Sequence, residues 1–232
     1  MKSILLLCAW CFASLALAQD GRALVEESLR RHAPPPHVYQ ELALVINDAQ
    51  GRYNVRTFRH YAQREGTKDT KAAHWLVVDT PPDLKGMTIH IGAGRDADDV
   101  LGSPILGSNF RVRDFATEIL DAHDYGRRDS VMLGQQLHYV VDALPKRPSQ
   151  PGRRLYLRQD NFFVSRIDHL DADNQLARRQ SFHNPRPDET GVWRPGMILM
   201  EDLRNGQRSL LKVERRVHSP DYLPAAMANK QP

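Results

Sequence analysis

The chain has 232 residues, 32 Lys and Arg against 28 Asp and Glu, a net charge of +4, and 2 cysteines. That balance is too mild to mark a nucleic-acid partner, and no Lys/Arg block stands clear of acidic or apolar neighbours. Both cysteines, Cys8 and Cys11, fall in the N-terminal apolar run, so disulfides, thiol catalysis and Cys-based zinc sites are excluded from everything after it.

The chain opens as an export signal. Met1-Lys2 supplies the positive end, Ile4–Leu17 is apolar, and Ala16-Leu17-Ala18 is an A-x-A cleavage signature followed at once by polar Gln19-Asp20-Gly21-Arg22. The run is too short for a membrane span and has no cysteine placed for lipidation after it. We expect residues 1–18 to be cleaved and residues 19–232 to form a single domain. An exported chain without cysteine fits a bacterial periplasm.

Residues 20–32 carry Ala23, Leu24, Ser28 and Leu29 at helical spacing, which predicts a short amphipathic helix ended by Pro34-Pro35-Pro36. Tyr39–Ile46 and Arg52–Arg64 read as a hairpin around a polar tip, with Tyr53 near the turn. Residues 74–79 (HWLVVD) form an apolar strand containing Trp75. After a Pro-Pro break, Met87, Ile89 and Ile91 alternate with Thr88 and His90 as in a half-buried strand. Residues 92–113 are glycine-rich and irregular and contain Phe110. Asp114 begins a possible helical turn over 114–121 as its N-cap. Val131–Leu133 and Leu137–Leu144 make a further hairpin, with Tyr139, Val141 and Ala143 on one face. From Leu155 to Val217 the chain reads as an antiparallel meander containing Tyr156, Phe163, Ile167, Trp193, Met197 and Leu199. Asn205-Gly206 predicts a type I′ turn near its end.

About ten strands against two or three short helices predict an α+β protein that is mainly antiparallel β. A sheet of that many strands tends to curl, with the helices as cover. The hollow between curved sheet and helices is a natural place for an apolar ligand.

The strings WLVVDTPPDLKG (75–86), Gly107-Ser108-Asn109-Phe110, Arg113-Asp114-Phe115, Ile167-Asp168, GVWRP (191–195) and MILMEDLRNGQRSLL (197–211) together resemble the outer-membrane lipoprotein-sorting-like proteins, a LolA-like family of periplasmic carriers associated with RND-type exporters. The resemblance spans about Tyr39 to Met227. It implies a curved, open half-barrel of the LolA/LolB type, no catalytic residues, no cofactor, and a lipid or acylated protein as ligand. An RND-type inner-membrane exporter is the implied partner, with membrane contact transient at most.

Twelve residues are therefore candidate ligand contacts: Tyr53, Trp75, Met87, Ile89, Phe110, Tyr139, Tyr156, Phe163, Ile167, Trp193, Met197 and Leu199. Ordinary core packing explains the same alternation. Other motifs carry less. Gly92-Ala93-Gly94-Arg95-Asp96-Ala97 spells G-x-G-x-x-A but leads into Asp98-Asp99 and a Pro break, where a phosphate would be repelled. An EF-hand loop starting at Asp171 would need Gly and Glu where Leu176 and Phe182 stand. No G-x-S-x-G elbow is present. Two other readings remain: an exporter's accessory subunit with a filled interior, and a hydrolase built from a dispersed Ser–His–Asp set.

Overall fold

The computed structural model describes residues 21–47, 50–64, 72–91, 102–115, 120–147, 150–219 and 222. The leader, the glycine motif at 92–97 and the tail beyond residue 222 lie outside the described residues. Within them the chain forms an α-helix over 21–31 (α1) and thirteen strands. These are β1 (His37–Asn47), β2 (Tyr53–Arg64), β3 (Ala72–Thr80), β4 (Thr88–Ile91), β5 (His123–Leu133), β6 (Gln136–Pro145), β7 (Arg153–Arg158), β8 (Val164–Leu170), β9 (Leu176–His183), β10 (Arg186–Pro187), β11 (Trp193–Arg194), β12 (Met197–Asp202) and β13 (Arg208–Val217). The expected mainly antiparallel α+β class is found.

The chain divides into two compact units. One, the strap unit, comprises Pro34–Glu118, His183–Arg186 and Pro195–Pro232. The other, the helix unit, comprises Met1–Ala33, Ile119–Phe182 and Pro187–Arg194.

In the strap unit the strands run β4-β3-β2-β1-β13-β12. Directly paired residues share a face, because side chains alternate sides with a period of two. The register sets Leu42 opposite Phe58, Phe58 opposite Val78, and Leu44 opposite Leu211. Those residues, with Ile46, Leu76, Ile91 and Met200, make one buried apolar face. Residues 102–115 cross it as a strap, burying Ile105, Leu106, Phe110 and Val112 in the same cluster. On the reverse face Tyr39, Tyr61 and Trp75 stand in one cross-strand row and form a second, smaller cluster. Tyr222 stacks on Tyr39 with ring centroids 4.8 Å apart.

In the helix unit the strands run β9-β8-β7-β6-β5. Leu24 and Val25 of α1 pack against Tyr125, Val141, Ala143, Leu155 and Leu157. The buried stripe of α1 is Gly21, Leu24, Val25 and Ser28, whereas Ala23 is exposed. Ala23, expected on that stripe, faces away from it, and Gly21 takes a place there instead, its missing side chain letting the helix lie against β5. A Cβ there would come within 2.9 Å of the Arg127 nitrogen and the Tyr125 carbonyl oxygen.

Several local expectations are corrected. Gly206 has φ +73° but Asn205 is not in the left-handed region, so the β12–β13 connection is not type I′. Its ends are held instead by Asp202 N–H to Gln207 O at 3.0 Å and Gly206 N–H to Asp202 O at 2.9 Å. Asp114 lies within a 3-10 turn (Val112–Phe115), its Oδ2 accepting the Arg111 N–H at 2.8 Å, and a second 3-10 turn covers Leu120–Ala122. Residues 116–119 of that expected helix lie outside the described residues. Strand β5 starts eight residues before Val131. Its hairpin to β6 turns on Gly134, whose φ of +61° suits a two-residue connection. Met87 precedes β4 rather than opening it.

Candidate functional site

The strap explains why Gly-Ser-Asn-Phe stands at 107–110. Leu106 (φ 51°) and Gly107 (φ 75°) are the centre of a tight turn closed by Ser108 N–H to Ile105 O at 2.9 Å. Both positions need positive φ, which glycine meets without strain and leucine does not. The Ser108 hydroxyl donates to Ile105 O at 2.7 Å and accepts the Phe110 N–H at 3.1 Å. Asn109 then ties the turn to the sheet: its N–H donates to Ser209 Oγ at 3.0 Å, and its Nδ2 donates to Gln207 O at 2.7 Å. Phe110 is left buried on the apolar face.

The same face ends in a polar row whose two histidines are buried and whose Gln40 and Arg216 are half-buried. Gln40 pairs with His60 across β1 and β2, and Arg216 pairs with Gln40 across β13 and β1. An arginine only donates, so it sets the Gln40 amide. Gln40 Oε1 accepts from Arg216 Nε at 2.7 Å and Nη2 at 3.1 Å, and Gln40 Nε2 donates to His60 Nδ1 at 3.2 Å. His60 Nε2 lies 3.0 Å from His74 Nδ1. Their planes differ by 3° and their centroids are 5.3 Å apart, more than the N···N distance by roughly two ring radii. The rings therefore meet end to end in one plane, as an N–H···N bond requires. Phe115 of the strap packs its edge on His60 at 5.9 Å. Burial, then the neighbouring His74 and Arg216, push His60 down to about 3, and burial pushes His74 down to about 4, so both are neutral. None of the twelve candidate contacts drawn from the sequence falls in this row.

The twelve candidate contacts fall on several surfaces. In the strap unit Phe110 and Ile89 belong to the apolar face. Register puts Tyr53, Trp75, Met197 and Leu199 on the reverse side: Trp75 is buried against Tyr61 and His90, while Tyr53 is 74% exposed. Met87 is also largely exposed. In the helix unit Tyr139 and Ile167 pack on the α1 side. Phe163 is buried, edge-on to His32 at 5.8 Å. Tyr156 points to the other side, where its hydroxyl donates to Asp168 at 3.0 Å, and Trp193 lies half-buried under the Arg158 guanidinium.

That other side of the helix unit is polar and closed on itself. Asp142, Arg154, Asp168 and Arg179 stand opposite one another across β6, β7, β8 and β9. Arg154 donates to Asp142 at 2.7 Å, and Arg166 and Arg179 donate to buried Asp168 at 2.8 and 2.9 Å. Ser165 Oγ lies 2.7 Å from His138 Nε2, a Ser–His contact of the kind hydrolases use. Here His138 Nδ1 donates to the Gln136 carbonyl at 2.9 Å, where a triad has a carboxylate. A neutral carbonyl fixes the tautomer but supplies no charge to stabilise an imidazolium, and burial lowers the His138 pKa. Asp171 Oδ1 accepts the Asp173 and Gln175 N–H groups at 3.0 and 2.9 Å, as a turn former at the β8–β9 tip. Among the described residues no three His, Cys, Asp or Glu side chains converge as metal ligands.

The model of a protein family described as "Uncharacterized protein" matches residues 93–223, more than half of the chain. No curated protein matches the sequence. Three of the solved structures that share its fold illustrate it. A domain described as an outer membrane lipoprotein-sorting protein, from Vibrio parahaemolyticus, is 16% identical, with a TM-score of 0.81 over 92% of this chain and 97% of that one. A DUF1329 family protein from Desulfovibrio piger is 16% identical, with a TM-score of 0.78 over 90% and 96%. A LolA superfamily protein from Nitrosomonas europaea is 15% identical, with a TM-score of 0.68 over 88% and 99%. The fold is thus LolA-like, in line with the resemblance of the sequence motifs.

Proposed function

We propose a carrier function for this chain, which belongs to the protein family described as "Uncharacterized protein". In this reading residues 19–232 work as one periplasmic domain that binds a lipid or lipid-modified molecule without catalysis. It passes that ligand to or from an outer-membrane sorting system or an RND-type exporter. The observation that carries it is the strap: a continuous apolar sheet face, in a LolA-like fold, covered by a segment that Asn109 ties to Ser209 and Gln207.

The energetics favour exchange. Burying Ile105, Leu106, Phe110 and Val112 contributes about 1.5–3 kcal/mol each. An acyl chain gains about 0.8 kcal/mol for each methylene taken out of water. A chain of ordinary fatty-acid length therefore roughly offsets the strap it displaces, and such a balance suits a protein that must both take up and release its ligand. The accessory-subunit reading draws on the same residues, since the strap side chains occupy the face themselves.

The test is direct. Mature protein purified from its host should yield co-purifying lipid by mass spectrometry and should enhance the fluorescence of a dansylated fatty acid. Neither result would leave the filled accessory module standing.

A further inference from the structure

The row from Arg216 to His74 has a direction, and the direction has an end. The guanidinium can only donate, so the Gln40 oxygen faces it and the Gln40 amide hydrogens face His60 Nδ1. His60 Nδ1 is then the acceptor of that ring and His60 Nε2 carries the proton. That proton points at His74 Nδ1, 3.0 Å away, which must accept it. The remaining proton of neutral His74 sits on Nε2. His74 is 7% exposed, and its Nε2 has no hydrogen-bond partner among the described residues. A buried donor left without an acceptor forfeits its bond to water and gains none in return, so a fold seldom keeps one without use.

The surroundings say what it would meet. His74 pairs with Ile91 across β3 and β4, and His60 pairs with Leu76 across β2 and β3, so both rings share the apolar face under the strap. Phe115, at the end of the strap, rests on His60. Displacing the strap would uncover an oily surface ending in one N–H donor, with an arginine charge three hydrogen bonds behind it. Such a site fits a molecule that is apolar along its length with an oxygen acceptor at one end.

We propose that His74 Nε2–H is the headgroup contact of the carrier site and receives the carbonyl or carboxylate oxygen of an acyl ligand. The Arg216–Gln40–His60 row fixes the imidazole tautomer that makes His74 a donor. This rests on the carrier reading above and adds to it the polarity of the bound ligand: acyl end at His74, chain along the β1–β3 face. His74 touches the ligand in this assignment, and Gln40 and His60 are positioning residues.

Three probes separate the possibilities in the full mature protein: dansyl-undecanoic acid, its methyl ester, and the hydrocarbon diphenylhexatriene. For His74→Leu we expect about tenfold weaker binding of an oxygen-bearing probe and unchanged binding of the hydrocarbon. Loss with the acid alone assigns a free carboxylate, and loss with acid and ester together assigns an acyl carbonyl. Equal affinities of wild type and variant for all three overturn the proposal while leaving the carrier reading intact. No binding of any probe to the wild type overturns both. Imidazole nitrogen NMR of the wild type gives a reading independent of the variant's folding. His74 must be protonated at Nε2 in the free protein, and that signal must move with the acid or the ester but not with diphenylhexatriene. A His74 protonated at Nδ1 overturns the relay.

Discussion

Ser209 Oγ, fully buried on β13, accepts the Asn109 N–H of the strap at 3.0 Å, so one hydroxyl joins cover and sheet. The Ser209→Ala variant leaves that N–H buried without an acceptor, at a cost of about 1–3 kcal/mol. We expect a lower Tm together with faster uptake of diphenylhexatriene, followed by stopped-flow fluorescence. A lower Tm with unchanged uptake would mean that the strap is only core.

Asp168 is 3% exposed and accepts from Arg166, Arg179 and the Tyr156 hydroxyl. Burial alone would raise its pKa, but the hydrogen bonds and charges of Arg166 and Arg179 outweigh it and hold the carboxyl below its ordinary value. Removing one partner of a buried ion pair costs about 3–5 kcal/mol, because the other charges stay buried without compensation. Asp168→Asn should therefore be strongly destabilised in urea unfolding. Glu26→Gln, which breaks the exposed i,i+4 pair with Arg22, should leave the urea midpoint nearly unchanged, because solvent screens that pair.

The hairpins and the strand-rich class were legible because their signals are local: strand-like runs such as 39–46 and 52–64 or 131–133 and 137–144, separated by a few turn residues. The Asn205-Gly206 turn type failed because only Gly206 adopts the left-handed conformation and the loop is longer than the dipeptide implies. The histidine row was hidden for a different reason. Gln40, His60 and His74 hold the same inward parity as Leu42, Phe58 and Leu76, yet their meeting depends on the registers of two hairpins. Polar residues at inward positions of apolar strands were the available signal. Tyr156 alternates like a core residue but ends on Asp168, because its neighbours on that face are charged.

Acid should test the histidine row. In the unfolded chain each imidazole titrates near its ordinary value of 6.5, whereas His60 is pushed down to about 3 and His74 to about 4. Between those values the unfolded state binds more protons, so stability is fully present above about pH 6.5 and falls as pH drops. Each imidazole loses about 1.4 kcal/mol per pH unit across that window. Among the described residues, the groups whose charges act on His60 are His74 and Arg216, and both push in the same direction as burial. Urea midpoints at pH 7 and pH 5 should differ clearly for the wild type and much less for a His60→Leu, His74→Leu double variant. An equal drop in both would assign the acid sensitivity elsewhere.

Gly21 sets two effects against each other. In a helix, alanine is favoured over glycine by about 1 kcal/mol, so Gly21→Ala should stabilise α1 if only propensity mattered. The added Cβ, however, meets the Arg127 nitrogen and the Tyr125 carbonyl oxygen at 2.9 Å, both backbone atoms of β5 that cannot swing aside. Relieving that contact moves α1 outward and loosens Leu24 and Val25 from Tyr125, Val141 and Leu155. Overpacking of this kind costs about 1–3 kcal/mol, and partial exposure of two core side chains adds to it. The clash should win, giving a lower Tm. Ala23→Gly, on the exposed side of the same helix, should lose only about 1 kcal/mol of propensity. If Gly21→Ala proves as stable as the wild type in a thermal melt, the close seat of α1 on β5 is not maintained in solution.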